Sequence, residues 1–93
     1  MKQLNLQKMQ KLYNLLQPYL PEPVEGLEIL PYVGTIIKEM QSNPRVYIEA
    51  LEIMTGVDKE TLLSENGKVT HRYFLEGIVL NRMPEFQQFM RGK

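Results

Sequence analysis

Scarcity defines this chain before anything present in it does. It contains no cysteine, which removes disulfides, thiolate catalysis and zinc sites of the finger or ribbon type together. Histidine occurs once, at His71, aspartate once, at Asp58, and serine twice, at Ser42 and Ser64. A Ser-His-Asp arrangement would have to recruit Asp58, which is better explained as a helix cap. His71 sits next to Arg72 near the start of a helix, where a protonated imidazole would oppose both the helix dipole and its neighbour. It reads as a partly exposed neutral histidine rather than a ligand or base. Carboxylate-only metal binding needs a tight run of oxygen ligands, and no Asp-x-Asp-x-Asn-Gly loop exists; Glu49 and Glu52 read as a solvated helix face. The six glycines stand singly, so no phosphate-cradling loop is present. No catalytic residue, metal or cofactor is therefore expected, and the chain reads as non-enzymatic.

Other absences bound its surroundings. No run approaches the roughly 20 apolar residues that a bilayer requires. The first residues, Met1 to Lys8, lack the apolar stretch of a signal peptide, so the expected location is the cytoplasm, with no membrane partner. Eleven basic and eleven acidic residues cancel, leaving no global field to draw the chain onto a phosphate backbone or an anionic membrane. At 93 residues, the length suits one domain and is too short for two separate cores.

What is present is helix punctuation, and the expected fold class is all-α, a single compact domain of five or six short helices. Residues 1–20 read as an amphipathic helix with Leu6, Met9, Leu12, Tyr13, Leu16 and Leu20 on one side. Pro18, Pro21 and Pro23 end it and open a Pro/Glu-rich connector over 21–30. Glu22, Glu25 and Glu28 of that connector either lie near Lys2, Lys8 and Lys11 of the first helix or are simply solvated.

Residues 31–93 form the helical core unit. Pro31 starts a helix with the stripe Val33, Ile36, Ile37, Met40. After Ser42, Asn43 caps and Pro44 begins a third helix, with Tyr47, Ala50, Leu51 and Met54 inward and Gly56 as its left-handed end. Asp58 caps a short fourth helix, with Val57 and Leu62 placed as a hydrophobic staple. Glu65-Asn66-Gly67-Lys68 reads as a turn, and Thr70 as the cap of a fifth helix burying Phe74, Leu75, Ile78 and Val79. Gly34 and Gly77 fall inside helices, where each either permits close packing or is incidental. Pro84 breaks or kinks the chain before a last helical stretch.

The segment Ala50-Leu51-Glu52-Ile53-Met54-Thr55-Gly56-Val57-Asp58-Lys59-Glu60-Thr61-Leu62-Leu63, followed by the helix through Phe74 and Val79, resembles the small helical tail assembly chaperones of tailed bacteriophages. The resemblance spans roughly residues 46 to 80. It implies a host-cytoplasmic protein that binds the tape-measure or tail-tube protein and keeps aggregation-prone subunits dispersed. The same stretch also resembles the helix-turn-helix of phage-repressor-type DNA-binding domains through Ala50, Thr55-Gly56-Val57 and Glu65-Asn66-Gly67-Lys68. Its reading helix, however, would bring Asp58, Glu60 and Glu65 with only Lys59 to a polyanion, which disfavours nucleic acid as the partner.

The expected partner is thus another protein. The protein-binding candidates are Met83, Phe86, Phe89 and Met90, since methionine and phenylalanine adapt to varied apolar shapes. These residues either face that partner or close the core. The apolar arc of the first helix, from Leu4 to Leu20, is wide enough to support a homo-oligomer as well.

Overall fold

The described residues form six helices, in the order α1 (Leu6–Leu16), α2 (Ile29–Glu39), α3 (Pro44–Thr55), α4 (Lys59–Ser64), α5 (Gly67–Leu80) and α6 (Met83–Arg91), with a 3-10 turn at Gln17–Tyr19 after α1. The computed structural model describes residues 1–22, 26 and 28–92, and among them there is no strand. The fold class is all-α, as the sequence implies. Pro23, Glu25 and Lys93 lie outside the described residues. No helix among those described is long and apolar enough to cross a membrane.

Helix α3 organises the packing, lying against α1, α4 and α5, while α2 packs on α5 and on the 3-10 turn. One core results. Met9, Leu12, Tyr13 and Leu16 of α1 enter it with Tyr32, Val33, Ile36 and Met40 of the α2 region. Ala50, Leu51 and Met54 of α3, Leu62 of α4, Phe74 and Ile78 of α5 and Met83 of α6 complete it. The radius of gyration is 12.5 Å, matching the roughly 12 Å of a compact domain of this length.

The helix boundaries follow from where particular donors find partners. α1 starts at Leu6 rather than near Lys2, because Asn5 caps it by accepting from the Lys8 N–H at 2.9 Å. The residues before Asn5 are used elsewhere: the Leu4 N–H donates to Asn81 Oδ1 at 2.7 Å, and Gln3 Nε2 donates to the Leu80 carbonyl at 3.1 Å. Leu6 consequently leaves the apolar arc and is 69% exposed.

α3 ends as expected, with Gly56 at φ 74° and its N–H on the Glu52 carbonyl. Asn43, by contrast, makes no side-chain cap; its Nδ2 donates to the Tyr19 hydroxyl at 3.2 Å. Asp58 does cap α4, accepting from the Thr61 N–H at 2.7 Å, and these Thr61 donors hold its carboxyl below the usual range.

Two expectations about α5 are corrected. It begins at Gly67, because Asn66 is the cap, accepting from the Lys68 N–H at 2.8 Å. Thr70 therefore lies inside the helix, with its hydroxyl donated to the Gly67 carbonyl. The inward face is Thr70, Phe74, Gly77 and Ile78, which leaves Leu75 half-buried and Val79 48% exposed. The turn into α6 passes through Arg82 at φ 52°, a left-handed conformation in a non-glycine residue, and Pro84 then fits the first turn of α6.

The two intrahelical glycines differ in kind. A methyl at Gly77 would run into Met54 Sδ and sit 3.1 and 3.2 Å from Met54 Cγ and Cβ, whereas nothing lies within 4 Å of one at Gly34. Gly77→Ala gains helix propensity but overpacks the α3–α5 contact, and overpacking costs about 1–3 kcal/mol against a gain of about 1 kcal/mol or less. A net loss of about 1 kcal/mol is expected. Gly34→Ala meets no such opposition and raises stability by about 0.5–1 kcal/mol. Urea unfolding of the two variants beside the parent measures both signs.

Candidate protein-contact surface

α6 carries the four protein-binding candidates, and its attachment decides which of them remain accessible. Among the described residues, the most extensive helix-to-helix packings do not involve α6, and long side chains help to tie it down. Met83, Phe86, Gln87 and Met90 recur at helical spacing on its inner side, with a glutamine in the middle of an otherwise apolar stripe. Gln87 can be buried because both ends of its amide are hydrogen-bonded. Its Oε1 accepts from the Tyr32 hydroxyl at 2.6 Å, and its Nε2 donates to the Pro21 carbonyl at 2.8 Å. One side chain thereby joins α6, α2 and the chain leaving the 3-10 turn. Among the described residues, no buried side-chain polar atom lacks a hydrogen-bond partner.

Further anchors flank Gln87. Phe86 meets Tyr13 of α1 edge-on, with ring centroids 5.8 Å apart, and Phe89 at 6.2 Å. At the far end, Arg91 Nη1 reaches Glu22 Oε2 at 2.6 Å, with both side chains exposed. This pair settles the connector's charge for Glu22: its partner is Arg91, not a lysine of the first helix. Met83 lies wholly in the core, so it is unavailable as a contact residue. Phe86 and Met90 are half-buried against the core, and Phe89 is 56% exposed. The structure therefore brings three of the four candidates to one edge and turns the fourth inward.

Sequence reasoning missed a second apolar site. The bonds from Gln3 and Leu4 lay the N-terminal segment beside the end of α5, leaving a groove of about 490 Å³ lined by Met1, Leu75, Glu76, Val79 and Leu80. No signal in the first residues announces it, because it depends on the amide of Asn81, 77 positions away from Leu4. Tyr32 and Gln87 were more accessible to inference: Tyr32 precedes Ile36 and Met40 at four-residue steps, and Gln87 interrupts an apolar stripe.

The remaining candidates stay apart. His71 and Arg72 are exposed on α5. Among the described residues, no group of three or more His, Asp or Glu side chains is placed to hold a metal ion. α4, the would-be DNA-reading helix, is six residues long, and its exposed positions and flanks carry Asp58, Glu60 and Glu65 against Lys59. No protein-family model matches this chain, and neither a curated protein nor a solved structure resembles it significantly.

The Tyr32–Gln87 contact has an alkaline signature. Burial, with smaller contributions from the Glu85 and Tyr13 charges, pushes the Tyr32 phenol well above its ordinary value of 10.0. Above that ordinary value the unfolded chain loses the proton while the folded chain keeps it, so stability falls as pH rises. Stability is expected to decline above about pH 10, approaching about 1.4 kcal/mol per pH unit from this group. Tyr32→Phe removes that portion of the slope. At neutral pH, Gln87→Leu leaves the Tyr32 hydroxyl and the Pro21 carbonyl without their partner and costs about 2 kcal/mol. Urea midpoints measured across the pH range for the parent and both variants provide the check.

Proposed function

We propose that this chain is a non-enzymatic protein-interaction module that hides an apolar segment of a partner protein from water. The observation that carries this reading is the outer edge of α6, where Phe89 is 56% exposed beside half-buried Phe86 and Met90. An exposed aromatic on a helix already fixed at Met83, Gln87 and Arg91 loses little further freedom on binding. Burying it returns about 25 cal/mol per Å² of apolar surface. The class of partner comes from the resemblance of residues 46 to 80 to phage tail assembly chaperones, and is the tape-measure or tail-tube protein. The helix-turn-helix alternative gains no support from the acidic surroundings of α4.

Coexpression with a tape-measure protein from the same genome tests the proposal. The parent chain is expected to raise the dispersed fraction of that protein and to co-purify with it. Phe89→Glu should lose most of this effect with its unfolding midpoint nearly unchanged, because surface substitutions usually shift stability by about 0.5 kcal/mol or less. Val79→Glu, in the groove beside α5, should retain it. An unaffected Phe89→Glu variant would overturn the assignment of the surface. A salt-sensitive shift of duplex DNA by the parent chain would overturn the class of partner.

A further inference from the structure

The neighbouring helices α1 and α3 share the core through one side and part at the solvent edge, where three adjoining hollows of about 430, 210 and 200 Å³ form a continuous groove. Its two walls carry opposite charge. On the α1 side stand Lys8 and Lys11, three residues apart on one face, preceded by Lys2. On the α3 side stand Glu49 and Glu52, also three apart, with half-buried Ile53 between the walls. Arg45, one turn before Glu49, does not line the groove.

These charges do not satisfy one another within the chain. Among the described residues, the only ion pair within 4.0 Å is Arg91 with Glu22, and no side-chain hydrogen bond engages Lys8, Lys11, Glu49 or Glu52. A groove with a basic wall facing an acidic wall is its own complement, since a two-fold interface presents the same patch from both partners. Of the two ways to place a second copy face to face, only one matches the charges. A two-fold axis running along the groove lays each lysine wall on the partner's glutamate wall. An axis running across it sets lysine on lysine and glutamate on glutamate.

We propose that the α1–α3 groove is a self-association face whose occupant is a second copy of this chain. The two α1 helices run in the same direction, Lys8 and Lys11 of each protomer face Glu49 and Glu52 of its partner, and the Ile53 side chains lie between the charged rows. Zero net charge leaves no overall repulsion to resist the pairing. The sequence-based expectation of self-association through α1 rested on its apolar arc, but Met9, Leu12, Tyr13 and Leu16 are spent on the core. The charged edge takes over that role. Because the α6 edge is not involved, failure of this proposal leaves the function proposed above standing, and the converse also holds.

Sedimentation equilibrium at low ionic strength, with rising protein concentration, is expected to approach twice the 10.9 kDa chain mass. Lys11→Glu and Glu52→Lys should each weaken dimerisation about tenfold or more, because each places like charges opposite one another. Mixing the two variants should restore a dimer, since position 11 of each chain then meets the opposite charge at position 52 of the other. Mixing leaves the contacts inside each chain unchanged, so this recovery cannot arise from folding. If either single variant fails to fold, the double variant Lys11→Glu/Glu52→Lys carries the test: it should dimerise with itself and not with the parent. A parent chain that stays monomeric, a mixture or double variant that stays monomeric, or a dimer indifferent to all these reversals would overturn the proposal.

Discussion

The arrangement depends first on how closely α5 can approach α3. Gly77 supplies that approach, because any side chain there would occupy the space that Met54 fills. With the gap closed, Phe74 and Ile78 lie on either side of Gly77 on the inward face of α5, and Ala50, Leu51 and Met54 meet them from α3. α3 in turn supports α1 and α4, so an error in this spacing would spread through most of the core. The methionine adds tolerance, since an unbranched thioether fills an irregular gap more readily than a branched side chain.

The second constraint is polar and joins parts that apolar packing leaves loosely defined. α6 could rest on the core in several registers if only Phe86 and Met90 held it. Gln87 selects one, because its amide must meet the Tyr32 hydroxyl and the Pro21 carbonyl at once. Asn81 acts similarly at the other end of α5, accepting from the Leu4 N–H and donating to the Gly77 carbonyl at 2.8 Å. Each amide adds specificity through at least one partner distant in sequence, and each would cost stability if either partner were removed.

These two kinds of constraint explain which features the sequence disclosed. Helix existence and most inward faces were legible, because α1, α2 and α3 bury residues at unbroken helical spacing. Caps with local partners, Asp58 and Gly56, were legible for the same reason. Asn66 was misread because Asn-Gly is more often a turn than a cap, and Thr70 offered a competing hydroxyl that the helix interior absorbed instead. Asn43 failed as a cap because a partner from another segment, Tyr19, claimed its amide. At the candidate surface, the chemistry of Met83, Phe86, Phe89 and Met90 was visible, while the choice between partner and core stayed open for all four, and only Met83 turns wholly inward. Met83 comes directly after the left-handed Arg82, a conformation that nothing in an arginine foretells.

The geometry of α1 relates the two surfaces to each other. Tyr13 receives Phe86 of α6, while Lys8 and Lys11 border the groove toward α3. At about 100° per residue, the Tyr13 direction lies roughly 140–160° around the helix from those lysines. The same helix thus separates the apolar edge of α6 from the charged groove. A pair of chains joined through the groove would leave Phe89 outward on both, presenting two apolar edges from one assembly. Two weak contacts on a shared partner reinforce each other through effective concentration, provided that the partner can reach both. A long, repetitive or multiply exposed partner meets that condition better than a compact one, so self-association would favour extended apolar clients over small globular ones.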